Sequence, residues 1–166
     1  MLLCHYLDPQ GERHKFIADQ MLGRLSKWLR LMGYDTLYFK SIDDIELIRI
    51  ARKQGRILLT RDTGLMRRRI VKSRVRAIFI EDDLLDNQLR QLIRELNLDT
   101  ERLSPPLCVE CNSPLEEVPR ERARGQVPSY VYRTQDQFVA CPVCGRYYWR
   151  GTHWQHVRKR MRTLLK

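Results

Sequence analysis

Short apolar runs alternate with helical periodicity through the first half of the chain. Lys15–Ala18, Thr36–Phe39, Ile57–Thr60 and Ala77–Ile80 have the length and the aliphatic or β-branched character of strands. Between them, Met21–Met32 sets Met21, Leu22, Leu25, Leu29 and Met32 on one helical face, and Gly33 supplies a residue that ends a helix without strain. Ile45–Lys53 repeats the pattern with Leu47, Ile48 and Ala51 before Gly55. Leu84–Leu96 aligns Leu85, Leu89, Leu92, Ile93 and Leu96 in a single stripe. Strands alternating with helices predict the α/β class, with parallel strands joined by right-handed crossovers.

The texture changes after the segment Asn97–Leu107, where Ser104-Pro105-Pro106 reads as a linker. Beyond it lie paired cysteines, β-prone pieces at Tyr130–Arg133 and Phe138–Ala140, a surface loop around Pro119–Pro128, and a basic helix near His153–Leu165. The expected division is an extension over 1–14 without a readable pattern, an α/β domain over 15–103, and a smaller module over 104–166. No repeat is visible. No stretch approaches the ~20 apolar residues of a bilayer span, and Met1-Leu2-Leu3 is too short for a signal-peptide core. A soluble, cytoplasmic protein is expected.

Five cysteines, Cys4, Cys108, Cys111, Cys141 and Cys144, suit a metal site in a reducing compartment better than a disulfide framework. Cys108-Val109-Glu110-Cys111 and Cys141-Pro142-Val143-Cys144-Gly145 form two knuckle-like pairs, the ligand arrangement of a Cys₄ zinc ribbon. A redox pair is the competing reading, and two pairs in one small segment favour zinc. Four thiolates complete a tetrahedron, so the expected zinc is structural, with Cys4 unassigned and with His153 and His156 left as surface or RNA-contacting residues.

Charge narrows the partner. The 31 Lys+Arg against 20 Asp+Glu give a net +11, a balance that attracts polyanions. The run Arg67-Arg68-Arg69-Ile70-Val71-Lys72-Ser73-Arg74-Val75-Arg76 contains no acid, and the segment from Arg146, Tyr147, Tyr148, Trp149 and Arg150 to His153 and Trp154 interleaves rings with cations. Arg158, Lys159, Arg160 and Arg162 extend the positive surface. Rings that stack on unpaired bases beside arginines that hold phosphate are the pattern of single-stranded RNA binding, and the same rings buried in a ribbon core would be ordinary packing. Candidate RNA contacts are Arg24, Lys27, Arg61, Arg67, Arg68, Arg69, Arg146, Tyr147, Arg150, His153, Trp154, Arg158, Lys159 and Arg160; a protein partner for the cysteine module is the other possibility kept open.

In an open parallel sheet the strand-to-helix connections share the carboxyl edge, where ligands bind. Asp19, Asp44, Asp62 and the triplet Glu81-Asp82-Asp83 each follow one of the four expected strands. Any one of them alone reads as a helix N-cap. Four at one edge repel one another unless a cation neutralises them, and carboxylate oxygens suit Mg²⁺ or Mn²⁺. Metal-assisted phosphodiester hydrolysis is the chemistry such a site serves.

The sequence resembles the PIN-like ribonucleases of the Mut-seven carboxy-terminal type. The resemblance rests on Phe16-Ile17-Ala18-Asp19, Met21-Leu22-Gly23-Arg24-Leu25, Trp28-Leu29-Arg30, Gly33-Tyr34-Asp35-Thr36, Asp44 with Leu47 and Ala51, and Arg56-Ile57-Leu58-Leu59-Thr60-Arg61-Asp62, and it runs from about residue 15 to 154. It implies a three-layer PIN-like domain followed by a zinc ribbon, with Asp19, Asp44 and Asp62 as metal-binding catalytic acids and Thr60 hydrogen-bonded to one of them. It does not choose between Asp82 and Asp83 as the fourth acid. The expected activity is a Mg²⁺- or Mn²⁺-dependent endoribonuclease acting on single-stranded or structured RNA. The alternatives are an inactive RNA- or protein-binding module of the same fold and, more remotely, a phospho-receiver domain using Asp62.

Overall fold

The computed structural model describes residues 14–100, 107–149, 151, 159–160 and 163. Four short strands, β1 (Phe16–Ala18), β2 (Thr36–Tyr38), β3 (Ile57–Thr60) and β4 (Ala77–Phe79), pair in parallel in the order β2-β1-β3-β4. Every residue of β1 and β3 is buried, as expected for strands covered on both faces. Side chains alternate between those faces. Phe16, Ala18, Ile57 and Leu59 point into one cluster with α1 (Gly23–Leu31) and α5 (Leu85–Leu96); Ile17 and Leu58 point into a second with α2 (Asp44–Lys53), α3 (Thr63–Arg67) and α4 (Arg69–Arg74). The expected strands and the three expected helices are all present, and the helices lie on both faces of the sheet.

The first helix differs from its expected course. A 3-10 turn at Gln20–Leu22 precedes α1, with its first N–H groups answered by Asp19, and Met21 is 64% exposed rather than buried. A 3-10 turn carries three residues per turn, which rotates Met21 off the stripe that Leu25 and Leu29 occupy. Gly23 begins α1 where a Cβ would stand 2.8 Å from Tyr38 Oη, so the close packing of this turn on the end of β2 depends on glycine. The basic run 67–76 supplies the last residue of α3 and all of α4, anchored by the buried apolar residues Leu65 and Val71.

The second unit contains an antiparallel sheet, β5 (Glu116–Val118), β6 (Phe138–Ala140) and β7 (Tyr147–Trp149), with α6 (Arg120–Ala123) and α7 (Ser129–Thr134) in the long gap between the cysteine pairs. Two expectations are corrected. Tyr130–Arg133 is helical, because the Pro128 carbonyl accepts the Tyr132 N–H at 3.0 Å to open α7 and Val131 buries with Ala123, Val127 and Phe138 while Tyr130 turns outward. The segment Pro119–Pro128, expected as loop, holds α6. Lys159, Arg160 and Thr163 are helical, but most of the helix expected near His153–Leu165 lies outside the described residues, as do residues 1–13 of the N-terminal extension and the boundary expected at 103/104. Among the described residues no helix is long and apolar enough to cross a membrane.

Candidate active site and thiolate centre

The strand order makes one position at the sheet edge special. The chain moves from β1 outward to β2 and then crosses back to place β3 on the other side of β1, so the connections after β1 and β3 diverge, the switch point at which open parallel sheets bind ligands. Asp19 leaves β1 at that point, and Thr60, Arg61 and Asp62 leave β3 beside it. Asp19, only 6% exposed, receives the Thr60 hydroxyl on Oδ2 at 2.5 Å and the Arg61 backbone N–H on the same oxygen at 2.9 Å. Its Oδ1 takes the Met21 N–H at 2.8 Å. Thr60 Oγ1 in turn accepts from the Asp62 N–H at 2.9 Å, so one buried hydroxyl ties the two acids together.

The other acids meet local partners. Asp62 caps α3, its Oδ1 accepting from the N–H groups of Gly64 at 2.6 Å and Leu65 at 3.1 Å. Asp44 is the first residue of α2, whose cap is Asp43, and Asp44 Oδ2 accepts from Arg68 Nη2 at 2.6 Å. Asp82 spends both oxygens ahead of α5, on the Leu84 N–H at 2.7 Å and the Asn87 amide at 2.8 Å, and those bonds hold its carboxyl below the ordinary range. Asp83 forms an ion pair with Arg61. The Arg61 side chain is largely enclosed; among the described residues its Nε makes no hydrogen bond and its Nη1 meets Asp83 without hydrogen-bond alignment. Among the described residues, Asp19, Thr60 and the backbone N–H of Asp62 form one hydrogen-bonded unit, while Asp44 pairs with Arg68 and Asp83 with Arg61, and the expected acids do not gather three carboxylates within common reach of one ion.

These carboxylates offer hard oxygen donors of the kind Mg²⁺ and Mn²⁺ take. Asp62 Oδ2 and Asp44 Oδ1 make no hydrogen bond among the described residues. Asp44 and Asp83 turn to neighbouring arginines, whereas Asp19 and Asp62 are held by hydroxyl and backbone N–H groups. The donor chemistry fits a divalent ion.

A second centre is tighter. Cys108, Cys111, Cys141 and Cys144 bring their sulfurs within 4.8 Å of one another, the one such grouping of three or more metal-ligating side chains among the described residues. Cys108 and Cys144 stand 3.5 Å apart, and Cys111 and Cys141 3.4 Å, close to the roughly 3.8 Å edge of a tetrahedron with ~2.3 Å Zn–S bonds. Positive φ at Asn112 and Gly145 turns the backbone behind each pair. A hydrogen bond from Ser113 holds the Cys111 thiol down at about 6, while burial among the other sulfurs pushes Cys144 up to about 12. Four thiols so close do not ionise together unless a cation absorbs the charge, and the set fits a structural zinc.

The profile of the family described as Mut7-C RNAse domain matches residues 14–161. The chain belongs to that family. No curated protein matches the chain, and no solved structure does either. Membership makes the Mut7-C chain ribonuclease-type, with RNA as the indicated substrate class, and the match spans both the parallel sheet and the four-cysteine module.

The two parts of this Mut7-C chain are bolted together by residues whose role the sequence did not reveal. Arg30, 3% exposed, donates from Nε to the Thr36 carbonyl at 2.9 Å and from Nη1 to the carbonyls of Val109 at 2.9 Å and Glu110 at 2.8 Å, inside the first cysteine turn. Asn112 completes the edge of β2, accepting from the Thr36 N–H at 2.9 Å and donating to Asp35 at 2.6 Å. The faint signal was a basic residue, Arg30, on an otherwise apolar turn of α1.

The expected RNA contacts divide by availability. Lys27 and Arg146 both pair with Glu110, at 2.8 and 3.2 Å, and Arg160 pairs with Asp86 while lying over the Trp28 ring. Tyr147 and Trp149 pack half-buried on the module's core, and Tyr148 turns its hydroxyl to Cys108 at 3.1 Å. Arg24, Arg67, Arg69 and Lys159 are exposed. Arg150, His153, Trp154 and Arg158 lie outside the described residues.

Proposed function

We infer that this Mut7-C chain is a PIN-like endoribonuclease dependent on Mg²⁺ or Mn²⁺ and acting on single-stranded RNA. The carrying observation is the Asp19–Thr60–Asp62 unit at the switch point of a parallel sheet in a strongly basic protein. Asp19, Asp44 and Asp62 hold the cation, and Asp83 is the better fourth acid because Asp82 has both oxygens committed to the start of α5. When bound, the ion supplies charge neutralisation and Lewis-acid assistance to phosphodiester hydrolysis. Thr60 keeps Asp19 oriented through its 2.5 Å hydrogen bond, and Arg61, paired with Asp83, places a positive charge beside the acids. The thiolate centre carries zinc in a structural role, and the exposed arginines of α3 and α4 draw the RNA backbone to the site. A reducing cytoplasm is the compartment that suits four free thiols.

The test is cleavage of a labelled single-stranded RNA by the zinc-loaded protein with and without added Mn²⁺. Asp62→Asn is expected to abolish metal-dependent cleavage and leave RNA binding equal or tighter, since a repulsive charge is gone. Binding by the wild-type protein with no cleavage under any divalent ion would instead assign an inactive RNA-binding module.

A further inference from the structure

The basic run after Asp62 folds into one wall of a groove. A hollow of about 570 Å³ lies between α2 and α4, lined by Ile45, Ile48 and Ile70 together with Arg52, Lys53 and Arg68. A second, of about 670 Å³, continues along α4 past Arg69, Ser73 and Arg74, and the two share Arg52 and Ile70. Among the described residues no acid lines either hollow. Arg49, also at the first, is answered by Glu46 on its own helix at 2.6 Å. Arg52, Lys53, Arg69 and Arg74 make no ion pair or side-chain hydrogen bond among the described residues, and all four are exposed. Uncompensated cations therefore surround isoleucines that face solvent, Ile45 at 72% and Ile70 at 39% exposure.

Leaving like charges side by side is unfavourable without an anion to answer them, and leaving isoleucines bare at their centre wastes apolar surface. The ligand that satisfies both carries regularly spaced negative charge and flat apolar faces. A free phosphate has nothing to lay on Ile45 and Ile70, and a duplex keeps its base faces stacked inside. A single strand offers both, with Arg planes available to stack on its bases. The groove also reaches one of the acids: Arg68 lines it and donates to Asp44 Oδ2 at 2.6 Å.

We propose that the groove between α2 and α4 is a subsite for single-stranded RNA, in which Arg52, Lys53, Arg69 and Arg74 hold successive phosphates and a base rests on Ile45 and Ile70, feeding the strand past Arg68 to the acid edge. The inference deepens the ribonuclease reading and takes its direction along the groove from it. Arg52 and Lys53 belong to it because α2 and α4 cover the same face of the sheet, which puts residues distant in sequence around the same hollows.

The experiment measures binding of a fluorescent oligouridylate of about twelve nucleotides to the zinc-loaded full chain without added Mg²⁺ or Mn²⁺, between about 50 and about 200 mM salt. Arg52→Ala with Arg74→Ala is expected to weaken binding about tenfold and to reduce the slope of log affinity against log salt by about 1.4, the loss of two phosphate contacts on a single strand. Arg52→Lys with Arg74→Lys should restore the slope, which a merely unfolded variant would not do. Ile45→Ser with Ile70→Ser should weaken the single strand at unchanged slope and leave duplex RNA unaffected. An unchanged affinity and slope in the double alanine variant would overturn the subsite while leaving Asp62-dependent cleavage, and with it the ribonuclease reading, untouched. Conversely, a groove that binds as expected in a protein whose cleavage ignores Asp62→Asn keeps the subsite and removes the catalytic reading. Displacement of the RNA by poly-glutamate as effectively as by unlabelled oligouridylate would give the groove to an acidic protein and also overturn the proposal.

Discussion

Arg30 on α1 donates a hydrogen bond of 2.8 Å to the backbone carbonyl of Glu110, a residue between Cys108 and Cys111 of the four-cysteine cluster. The guanidinium is buried, and burial is the main influence on it, pulling its pKa down against the thiols and acids nearby that support its charge. A buried cation is tolerated only while its donors are answered, so the sheet domain depends on the cysteine turn for part of its own stability. Arg30→Met is expected to cost about 3 kcal/mol, because carbonyls of Val109, Glu110 and Thr36 lose a charged donor together. Thermal unfolding checks the loss, and a chromogenic chelator should strip zinc faster from the variant. Unchanged zinc release would mean that the cysteine turn stands without its anchor.

Thr60 is fully buried and bonds Asp19 while accepting from the Asp62 N–H. Thr60→Val keeps the shape and removes the hydroxyl. The expected outcome is a fall of about tenfold to a hundredfold in kcat with KM little changed, and a stability loss of about 1–2 kcal/mol for the unanswered groups. Thr60→Ser should retain most of both. Equal losses in the valine and serine variants would trace the effect to packing.

Arg68 competes with any cation for Asp44. Arg68→Ala frees that carboxylate, so half-maximal cleavage should need less Mn²⁺, while affinity for single-stranded RNA falls because a groove cation is lost. A metal titration at saturating RNA reads the first effect and anisotropy the second. An unaltered metal requirement would remove Asp44 from the ligand set.

Burial alone would raise the Asp35 carboxyl, but hydrogen bonds from Arg56 and Asn112 outweigh it and hold the group below its ordinary value. A native pKa below the unfolded one gives stability that is present above the unfolded value, ~4, and is lost as pH falls through the native value. Urea midpoints should therefore drop on acidification below about pH 4, and Asp35→Asn should flatten that part of the profile. The variant would also loosen Asn112 and the docked cysteine turn. An identical acid limb in wild type and variant would place the titrating group elsewhere.

Local pattern was enough for the strand and helix core of the first domain. The spacing of Leu85, Leu89, Leu92, Ile93 and Leu96 has one low-energy interpretation, a helix with that stripe buried, and α5 adopts it. The cysteine pairs were equally legible, because thiolate ligands at knuckle spacing announce themselves in any context. Failure came where context outweighs propensity: Tyr130–Arg133, rich in β-prone residues, is helical because Pro128 starts a turn that buries Val131.

The sequence by itself determined which acids follow which strands, the four thiols, the excess of positive charge and the family to which the chain belongs. Only the tertiary structure decided that Asp19 and Asp62 meet through Thr60, that Asp82 is spent on α5, that Arg30 and Asn112 bind the cysteine turn to β2, and that Arg52 and Arg74 share a groove. The reason is range. Periodicity and ligand spacing act within a few residues, whereas each of those contacts depends on strand order and crossover, which bring together side chains that no local pattern relates.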